Sequence, residues 1–380
     1  MKISALYVYP IKGLRGIELR KAQVGPQGIK HDRRFMLYQA GQHEATAGMK
    51  AMQLASHPQC ALFEQQIASS PDGPDGSAEE ASVVVRYHSP KDSHHSDLNR
   101  VTPPQSPSSA EDSEATLRVP LEPDISLLEK ISVDLHGSPA TAYRMGGGYD
   151  AWFSSRFGFR TVLVYIGDGR RAVLGTSMLP KAANTAAAPQ KGWVSSLASL
   201  VTSPRQQQPA TPALWLTFTD VAPLLVTSES SLHDISARLP ANQPMPMFKF
   251  RPNLVVDGEG EAAWAEDFWA ELAIDVQTKD LEQQQQQQRH TLLLTSNCAR
   301  CISLNVDYQT GKPAEGELGS VLKKLMKDRR VDAGTKWSPV FGRYAFVAGG
   351  EGEVLTVSVG DKVQVTRRNA ERSVWDWPGL

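Results

Sequence analysis

The feature that most restricts the fold is the shortness of the apolar runs. Ile3 to Val8, Phe35 to Tyr38, Val83 to Tyr87, Thr161 to Tyr165, Leu254 to Val256, Leu292 to Thr295 and Val363 to Thr366 each span a few residues, bounded mostly by Gly, Pro, Asp or Asn. A helix needs a longer periodic stripe to bury one face, whereas a strand this short is satisfied by pairing with neighbours. The pattern predicts a mainly β (α+β) fold of barrel type with a few packed helices. Three helical segments are expected. The first follows Asp150 as N-cap, carries Trp152, Phe153 and Phe157, and stops at Gly158. The others carry Leu232, Ile235 and Leu239, and Val321, Leu322, Leu325 and Met326.

At 380 residues the chain exceeds the size at which one core stops growing, so two domains are expected. Residues 1–145 read as an N-terminal β domain, 146–213 as a connecting helix and strand, and 214–370 as a second β domain. Residues 88–114 are rich in Ser, Pro, His and Asp, and residues 184–212 in Ala, Gln, Ser and Pro. Such compositions bury too little apolar surface to offset the entropy of ordering, so both read as disordered insertions. The Gln283 to Gln288 tract reads as an expanded hairpin loop.

Lys plus Arg number 40 against 41 for Asp plus Glu, so no bulk field attracts nucleic acid or an anionic membrane. Anion recognition must be local. Three cysteines, Cys60, Cys298 and Cys301, are an odd number in a long chain and argue for a reducing compartment over a secreted disulfide framework. No run of about eighteen apolar residues occurs, and Met1 leads directly into a strand pattern. The expectation is a cytoplasmic protein without an integral membrane segment, mitochondrial association staying open.

The window richest in chemistry is Thr295-Ser296-Asn297-Cys298-Ala299-Arg300-Cys301-Ile302, directly after the run ending at Leu294. A thiol at the end of a strand is anchored by the sheet while its loop is free to approach a ligand. Thiolate suits a soft or high-valent metal, and Arg300 would favour ionisation or hold an anion. The Cys-x-x-Cys spacing alone also fits a redox disulfide, half of a zinc site or two inert thiols. A four-thiolate zinc site would need ligands this chain lacks, and the strand-like Ile302 to Val306 does not suit a thioredoxin-type pair at a helix start. Cys298 reads as a small buried residue.

Two further segments have the composition of an anion-binding wall. Phe250-Arg251-Pro252-Asn253-Leu254 puts a guanidinium and a carboxamide at the mouth of a β run, groups suited to a phosphate and to the polar edge of a heterocycle. Tyr9-Pro10-Ile11-Lys12-Gly13 follows a strand, and its glycine lets backbone N–H groups approach an anion. His31-Asp32-Arg33-Arg34 adds basic groups with an acid able to orient one of them. Each alone is equally a solvated turn or a surface ion pair.

Their order and co-occurrence carry a resemblance. The chain resembles MOSC-domain proteins with the accompanying N-terminal β-barrel domain, the group that includes the mitochondrial amidoxime-reducing component. The matching residues run from Tyr9-Pro10-Ile11-Lys12 and Asp32-Arg33 to Phe250-Arg251-Pro252-Asn253-Leu254-Val255-Val256 and Ala265-Glu266-Asp267-Phe268-Trp269. They continue through Cys298-Ala299-Arg300-Cys301, Asp307 and Thr310-Gly311 to Phe341-Gly342-Arg343-Tyr344 and Val359-Gly360-Asp361-Lys362-Val363.

The resemblance implies a molybdenum cofactor, a pterin with a dithiolene and a phosphate, whose metal takes Cys301 as protein ligand. By the same matching Lys12, Gly13, Arg33, Arg251, Asn253, Ala299 and Arg300 would surround the phosphate and pterin. Asp267 reads either as a group that orients a bound water or substrate proton or, more simply, as a surface acid or turn residue. The implied reaction is two-electron reduction of an N-hydroxylated or N-oxide substrate. Three cysteines cannot supply a ferredoxin-type cluster, so electrons would come from a partner, which the resemblance implies is a b-type cytochrome with its reductase. A carrier of cofactor or sulfur without turnover is the rival reading. MOSC domains also occur fused to pyridoxal-phosphate desulfurases, but 380 residues filled by two β domains leave no room for that fold. Two positions depart from the family pattern: Gly13 where Ser is common, and Thr46-Ala47-Gly48-Met49 where Thr-x-Arg-Gln is common.

Overall fold

The computed structural model describes residues 1–41, 48–68, 81–90, 116–180, 214–277, 287–349 and 352–379. The insertion expected at 184–212, the part of 88–114 beyond residue 90, and Gln283 to Gln286 lie outside the described residues. Gln287 and Gln288 belong to a strand, paired with Gln277 and Val276, so the tract ends inside the sheet.

The protein is mainly β. Its largest sheet has eight strands in the order Ile17–Leu19, Ile3–Val8, Leu254–Val256, Leu224–Ser228, Val340–Val347, Gln287–Ala299, Trp269–Gln277 and Lys362–Arg368. Neighbours are antiparallel except Leu224–Ser228 and Leu254–Val256, a parallel pair whose connection passes through the helix Glu229–Ser236. Lys2 bridges Lys362, and Val363 N–H donates to the carbonyl of Met1 at 2.9 Å, which brings the last strand of the sheet back against the start of Ile3–Val8. Closure removes exposed edges and gives the inward-facing side chains a common interior. Leu272, Ile274 and Val276 alternate into that interior and meet Ile3, Leu6, Val226, Leu254, Leu292 and Leu294.

The N-terminal strand is thus part of the sheet completed by the C-terminal half. A five-stranded sheet of Glu129–Leu135, Ser138–Arg144, Thr161–Tyr165, Phe35–Gln39 and Lys50–Ala51, and a three-stranded sheet of Phe63–Ala68, Ser82–Tyr87 and Thr116–Pro120, lie between. The helix Gly147–Phe157 covers them with an aromatic cluster: the Phe63 ring lies 4.7 Å from Phe157, 5.6 Å from Phe153 and 5.0 Å from Tyr87. Asp150, expected as its N-cap, sits inside the helix, where its carboxylate accepts from Arg144 Nε at 2.8 Å and the Leu163 amide at 3.0 Å. Gly146 takes the cap position instead, and Gly158 ends the helix in the left-handed conformation as its sequence predicts.

The C-terminal segment runs across the outside of the barrel. Trp375 and Trp377 pack with Cys298, Tyr344 and Phe346, Asp376 accepts from Ser177 Oγ at 2.6 Å, and Trp377 Nε1 donates to the carbonyl of His136 at 2.8 Å.

Phe63 packs against Tyr87, Trp152, Phe153 and Phe157, so Phe63→Ala is expected to cost about 3–5 kcal/mol of unfolding free energy, measured by urea titration. A cost below about 1 kcal/mol would show that the cluster collapses around the gap.

Candidate functional site

Two adjacent strand ends create the site. Ile3–Val8 runs out into Tyr9-Pro10-Ile11-Lys12, and its antiparallel partner Leu254–Val256 is entered from Arg251-Pro252-Asn253, so residues some 240 positions apart become neighbours. Tyr7 N–H donates to the carbonyl of Asn253 at 2.9 Å. The Arg33 and Arg251 backbones are both left-handed, at φ 47° and 56°, a cost that non-glycine residues meet only where surroundings over-determine them. Both guanidiniums lie over the buried Tyr9 ring, at 4.5 and 4.3 Å from its centroid, and the Tyr9 hydroxyl donates to the carbonyl of Pro252 at 3.0 Å.

Asp32 anchors this arrangement. Fully buried, it accepts from the Tyr9 amide at 2.8 Å, from Asn253 Nδ2 at 3.1 Å and from Arg33 Nη1. Asn253 donates a second bond to the carbonyl of Tyr7 at 3.3 Å and accepts from Arg33 Nη1 at 3.2 Å and the Leu225 amide at 3.1 Å. Both amide protons and both lone-pair positions are thereby engaged within the protein. The sequence reading set this carboxamide against a heterocycle; the structure makes it a bracket that fixes Asp32 and Arg33.

The other wall comes from the end of the strand Gln287–Ala299. Its pairing with Val340–Val347 shifts register on either side of Asn297, and irregularities of this kind re-aim the side chains beyond them. Arg300 N–H donates to the carbonyl of Pro339 at 2.8 Å. The Cys301 thiol is exposed, 3.2 Å from Ser303 Oγ, while Cys298 is buried. Arg300, expected to support Cys301, directs Nη1 to Cys298 Sγ at 2.9 Å and Nη2 to the carbonyl of Phe250 at 2.8 Å. Cys298 donates in turn to Tyr344 Oη at 3.2 Å, and burial pushes its thiol above the ordinary range although Arg300 opposes the shift.

Lys12, Gly13, Arg33, Arg251, Asn253, Ala299, Arg300 and Cys301 line one cavity together with Asp220, Phe250, Cys298 and Tyr344. Two cationic groups in it are incompletely paired. Arg251 uses Nη1 on the carbonyl of Leu14 at 2.8 Å, but among the described residues its buried Nη2 has no partner, and neither has the buried Nε of Arg300. An unpaired buried donor costs about 1–3 kcal/mol, more on a charged group, so such donors point to an anion as their complement.

Asp220 was not singled out in the sequence, where nothing distinguishes it from a turn acid. Its Oδ1 pairs with Lys12 Nζ and lies 3.3 Å from His136 Nε2. Burial would raise this carboxyl, yet Lys12, His136 and Arg33 hold it well below the ordinary range. Burial also draws the Lys12 ammonium down to about 8, with the attraction of Asp220 opposing the shift and the repulsion of Arg33 adding to it. Behind them the buried Arg171 donates to the carbonyls of Thr217 at 2.9 Å and Thr219 at 2.6 Å, fixing the segment that carries Asp220.

Asp267 does not join this group. It is completely buried in the turn Ala265–Phe268, where both oxygens accept from Arg329 Nη2 at 2.7 and 2.9 Å and Oδ2 also accepts from Arg372 Nε at 2.8 Å. The expectation that it orients a water or substrate proton is corrected: its lone pairs serve two guanidiniums, and it lies outside the cavity lining. Among the described residues no group of three or more His, Cys, Asp or Glu side chains forms a chelating set, so the cavity presents one exposed thiol.

The family model of the MOSC N-terminal beta barrel domain matches residues 1–159, and that of the MOSC domain matches residues 213–364. The chain belongs to the MOSC-domain proteins. It is 34% identical over 153 residues to mitochondrial amidoxime-reducing component 1 of Homo sapiens, which is 39% of this chain and 38% of that protein. It is 34% identical over 148 residues to the Mus musculus protein of the same name, and 33% identical over 148 residues to mitochondrial amidoxime reducing component 2 of Rattus norvegicus; each alignment covers 38% of this chain and 37% of the relative. The aligned stretch thus spans less than two fifths of the curated relatives. The cavity of this MOSC protein draws on both matched regions, Lys12 and Arg33 from the first, Arg251, Arg300 and Cys301 from the second.

Two outcomes follow. Asp267→Ala leaves Arg329 buried without its partner and should lower stability by about 3–5 kcal/mol in urea titration; a folded variant of unchanged stability would contradict the structural role. Because the Lys12 ammonium is lost as pH rises through about 8, sulfate binding measured by calorimetry should weaken across that range in the wild type and stay level in Lys12→Arg. The same decline in both proteins would remove Lys12 from the anion site.

Proposed function

We propose that this cavity holds the molybdenum cofactor, with the Cys301 thiolate as protein ligand to the metal, and that the protein reduces N-hydroxylated or N-oxide substrates with electrons from a partner. The observation that carries the reading is the convergence of one exposed thiol with buried guanidinium N–H groups that have no acceptor among the described residues. Names of the relatives, amidoxime-reducing components, support the substrate class.

The residues present fit an anionic group that also binds sulfur. Arg251 Nη2, Arg300 Nε and Lys12 would receive the phosphate and pterin oxygens. Gly13, at φ 91°, adopts a backbone conformation that a side chain there would strain, and it presents its amide without a Cβ. This supports the substitution of a backbone donor for the serine hydroxyl common in relatives. Asn253 and Asp32 act one step removed, holding Arg33 in place. When bound, the cofactor supplies two-electron redox chemistry at a metal with a coordination position open to substrate.

Reduction of an N–OH group to N–H consumes two electrons and two protons, breaks the N–O bond and releases water. The protein's share is to fix orientation and to hold protons at the cavity. Lys12, whose ammonium is drawn down to about 8 and is oriented by Asp220 Oδ1, would serve the second task. The partner in this reading is a b-type cytochrome with its reductase. The relatives' names favour mitochondria, while cysteine usage points only to a reducing compartment. Of the family-divergent segment, Thr46 and Ala47 lie outside the described residues; nearby Gln53, Leu54 and Ala55 line the cavity, so changes here bear on substrate choice.

Protein purified from a cofactor-producing host should contain molybdenum by elemental analysis and reduce an aryl amidoxime when supplied with a chemical reductant. Cys301→Ser should abolish the reduction, while Cys298→Ser should leave most of it; the reverse pattern would move the ligand. Bound molybdenum without turnover would instead make the protein a cofactor carrier.

A further inference from the structure

The cavity wall has a second layer behind it. Leu225, Cys298 and Tyr344 line the cavity, and packed in one cluster with them are the buried Trp375 and Trp377, from a C-terminal segment beyond the residues matched by the MOSC domain. This segment is fastened along its length. The Asn369 amide donates to the carbonyl of Phe268 at 2.7 Å, Arg372 Nε to Asp267 Oδ2 at 2.8 Å and the Trp375 amide to Asp332 Oδ1 at 2.9 Å. Ser373 Oγ accepts from the Asn297 amide at 3.2 Å, and Asp376 from the Ser177 amide at 2.9 Å. Two glycines make room for it: a Cβ at Gly334 would collide with the carbonyl of Trp375, and one at Gly175 with the Asp376 carboxylate.

Its last contact reaches the charged side of the cavity. Trp377 Nε1 donates to the carbonyl of His136 at 2.8 Å. His136 opens the two-residue turn between Glu129–Leu135 and Ser138–Arg144 with φ 59°, a position that Asn, Asp or Gly usually fills. Its Nε2 lies 3.3 Å from Asp220 Oδ1, the same oxygen that pairs with Lys12 Nζ. One carboxylate oxygen therefore serves two donors, and each takes a share of charge that the other would hold alone. Arg171, bonded to the carbonyls of Thr217 and Thr219, keeps the Asp220 segment in place. The position of the imidazole then decides how completely Asp220 neutralises Lys12.

We infer that Trp377 is a positioning residue for the cavity: its indole N–H holds the His136 turn against Asp220, and the share of Asp220 that His136 takes leaves the Lys12 ammonium available to a bound anion. The inference rests on the reading of the cavity as an anion site, and it adds a contributor that lies outside both matched regions and outside the cavity lining. Without the indole N–H the turn loses its holder, the imidazole leaves Oδ1, and the pair between Lys12 and Asp220 tightens. Anion affinity then falls. A lysine more fully paired with a carboxylate keeps its proton to higher pH, so the loss of its charge on raising the pH comes later. The other charges around Lys12, namely Arg33 and Arg171 through their repulsion and Arg251 and Arg300 across the cavity, are untouched by a change at Trp377.

Calorimetric titration of the full-length protein with sulfate tests this. The wild type is compared with Trp377→Phe, which keeps a ring and loses the N–H, with His136→Phe, which loses the donor to Asp220, and with the double variant. Each single substitution should weaken sulfate binding at pH 7 about fivefold, and the double variant should bind no more weakly than either, because the two residues act through one contact. In Trp377→Phe the decline of binding should also move above the pH of about 8 at which the wild type loses the Lys12 charge. A ring that only packs would lower the melting temperature and leave that pH profile where it was, which overturns the inference. Losses that multiply in the double variant overturn it too, since they make the two residues independent. A wild type that binds no sulfate overturns the anion reading of the cavity itself, and the role of Trp377 falls with it.

Discussion

Pairing between the strands Ile3–Val8 and Leu254–Val256 is the constraint on which the rest depends. Without it Lys12 and Arg33 would lie in one half of the chain and Arg251, Arg300 and Cys301 in the other. The pairing is held in register by the barrel interior, where a slip of one residue would turn Leu6 and Leu254 outward. Hydrophobic burial therefore does more than stabilise the fold: it determines which strand ends meet, and the charged groups follow those ends.

Bringing four cations together in a largely buried space is unfavourable unless something answers them. Part of the answer is internal. Asp32 pairs with Arg33, Asp220 with Lys12, and the Tyr9 ring lies beneath two guanidiniums. What remains, an unpaired Nη2 on Arg251 and an unpaired Nε on Arg300, is unanswered among the described residues. The contrast with Asp267 is instructive, because there acid and guanidinium groups meet in full and the site is closed. The Asp267 carboxylate is engaged by two guanidiniums, whereas the unpaired donors of Arg251 and Arg300 belong to side chains that line the cavity.

Much of this was legible in the sequence, for identifiable reasons. Short apolar runs bounded by turn residues can do little but pair, so the β character followed from spacing, and Gly158 stops its helix as a residue free to adopt positive φ should. The basic residues at strand mouths were also readable, because residues there end up at one rim of a closed sheet. The parts that were not legible depend on long-range partners. Asn253 looks like a ligand-facing amide until its four bonds to Tyr7, Asp32, Arg33 and Leu225 are seen. Asp267 looks like a free acid until Arg329 and Arg372 arrive from more than sixty residues away. Asp220 and His136 carry no local signature at all, and only the folded chain sets them side by side.

The central claim is that the exposed sulfur of Cys301 is a metal ligand, and X-ray absorption at the molybdenum edge of the loaded protein tests it most directly. The account predicts one fewer sulfur neighbour in Cys301→Ser than in the wild type, and no loss in Cys298→Ser. A metal environment that is unchanged by Cys301→Ser would contradict it.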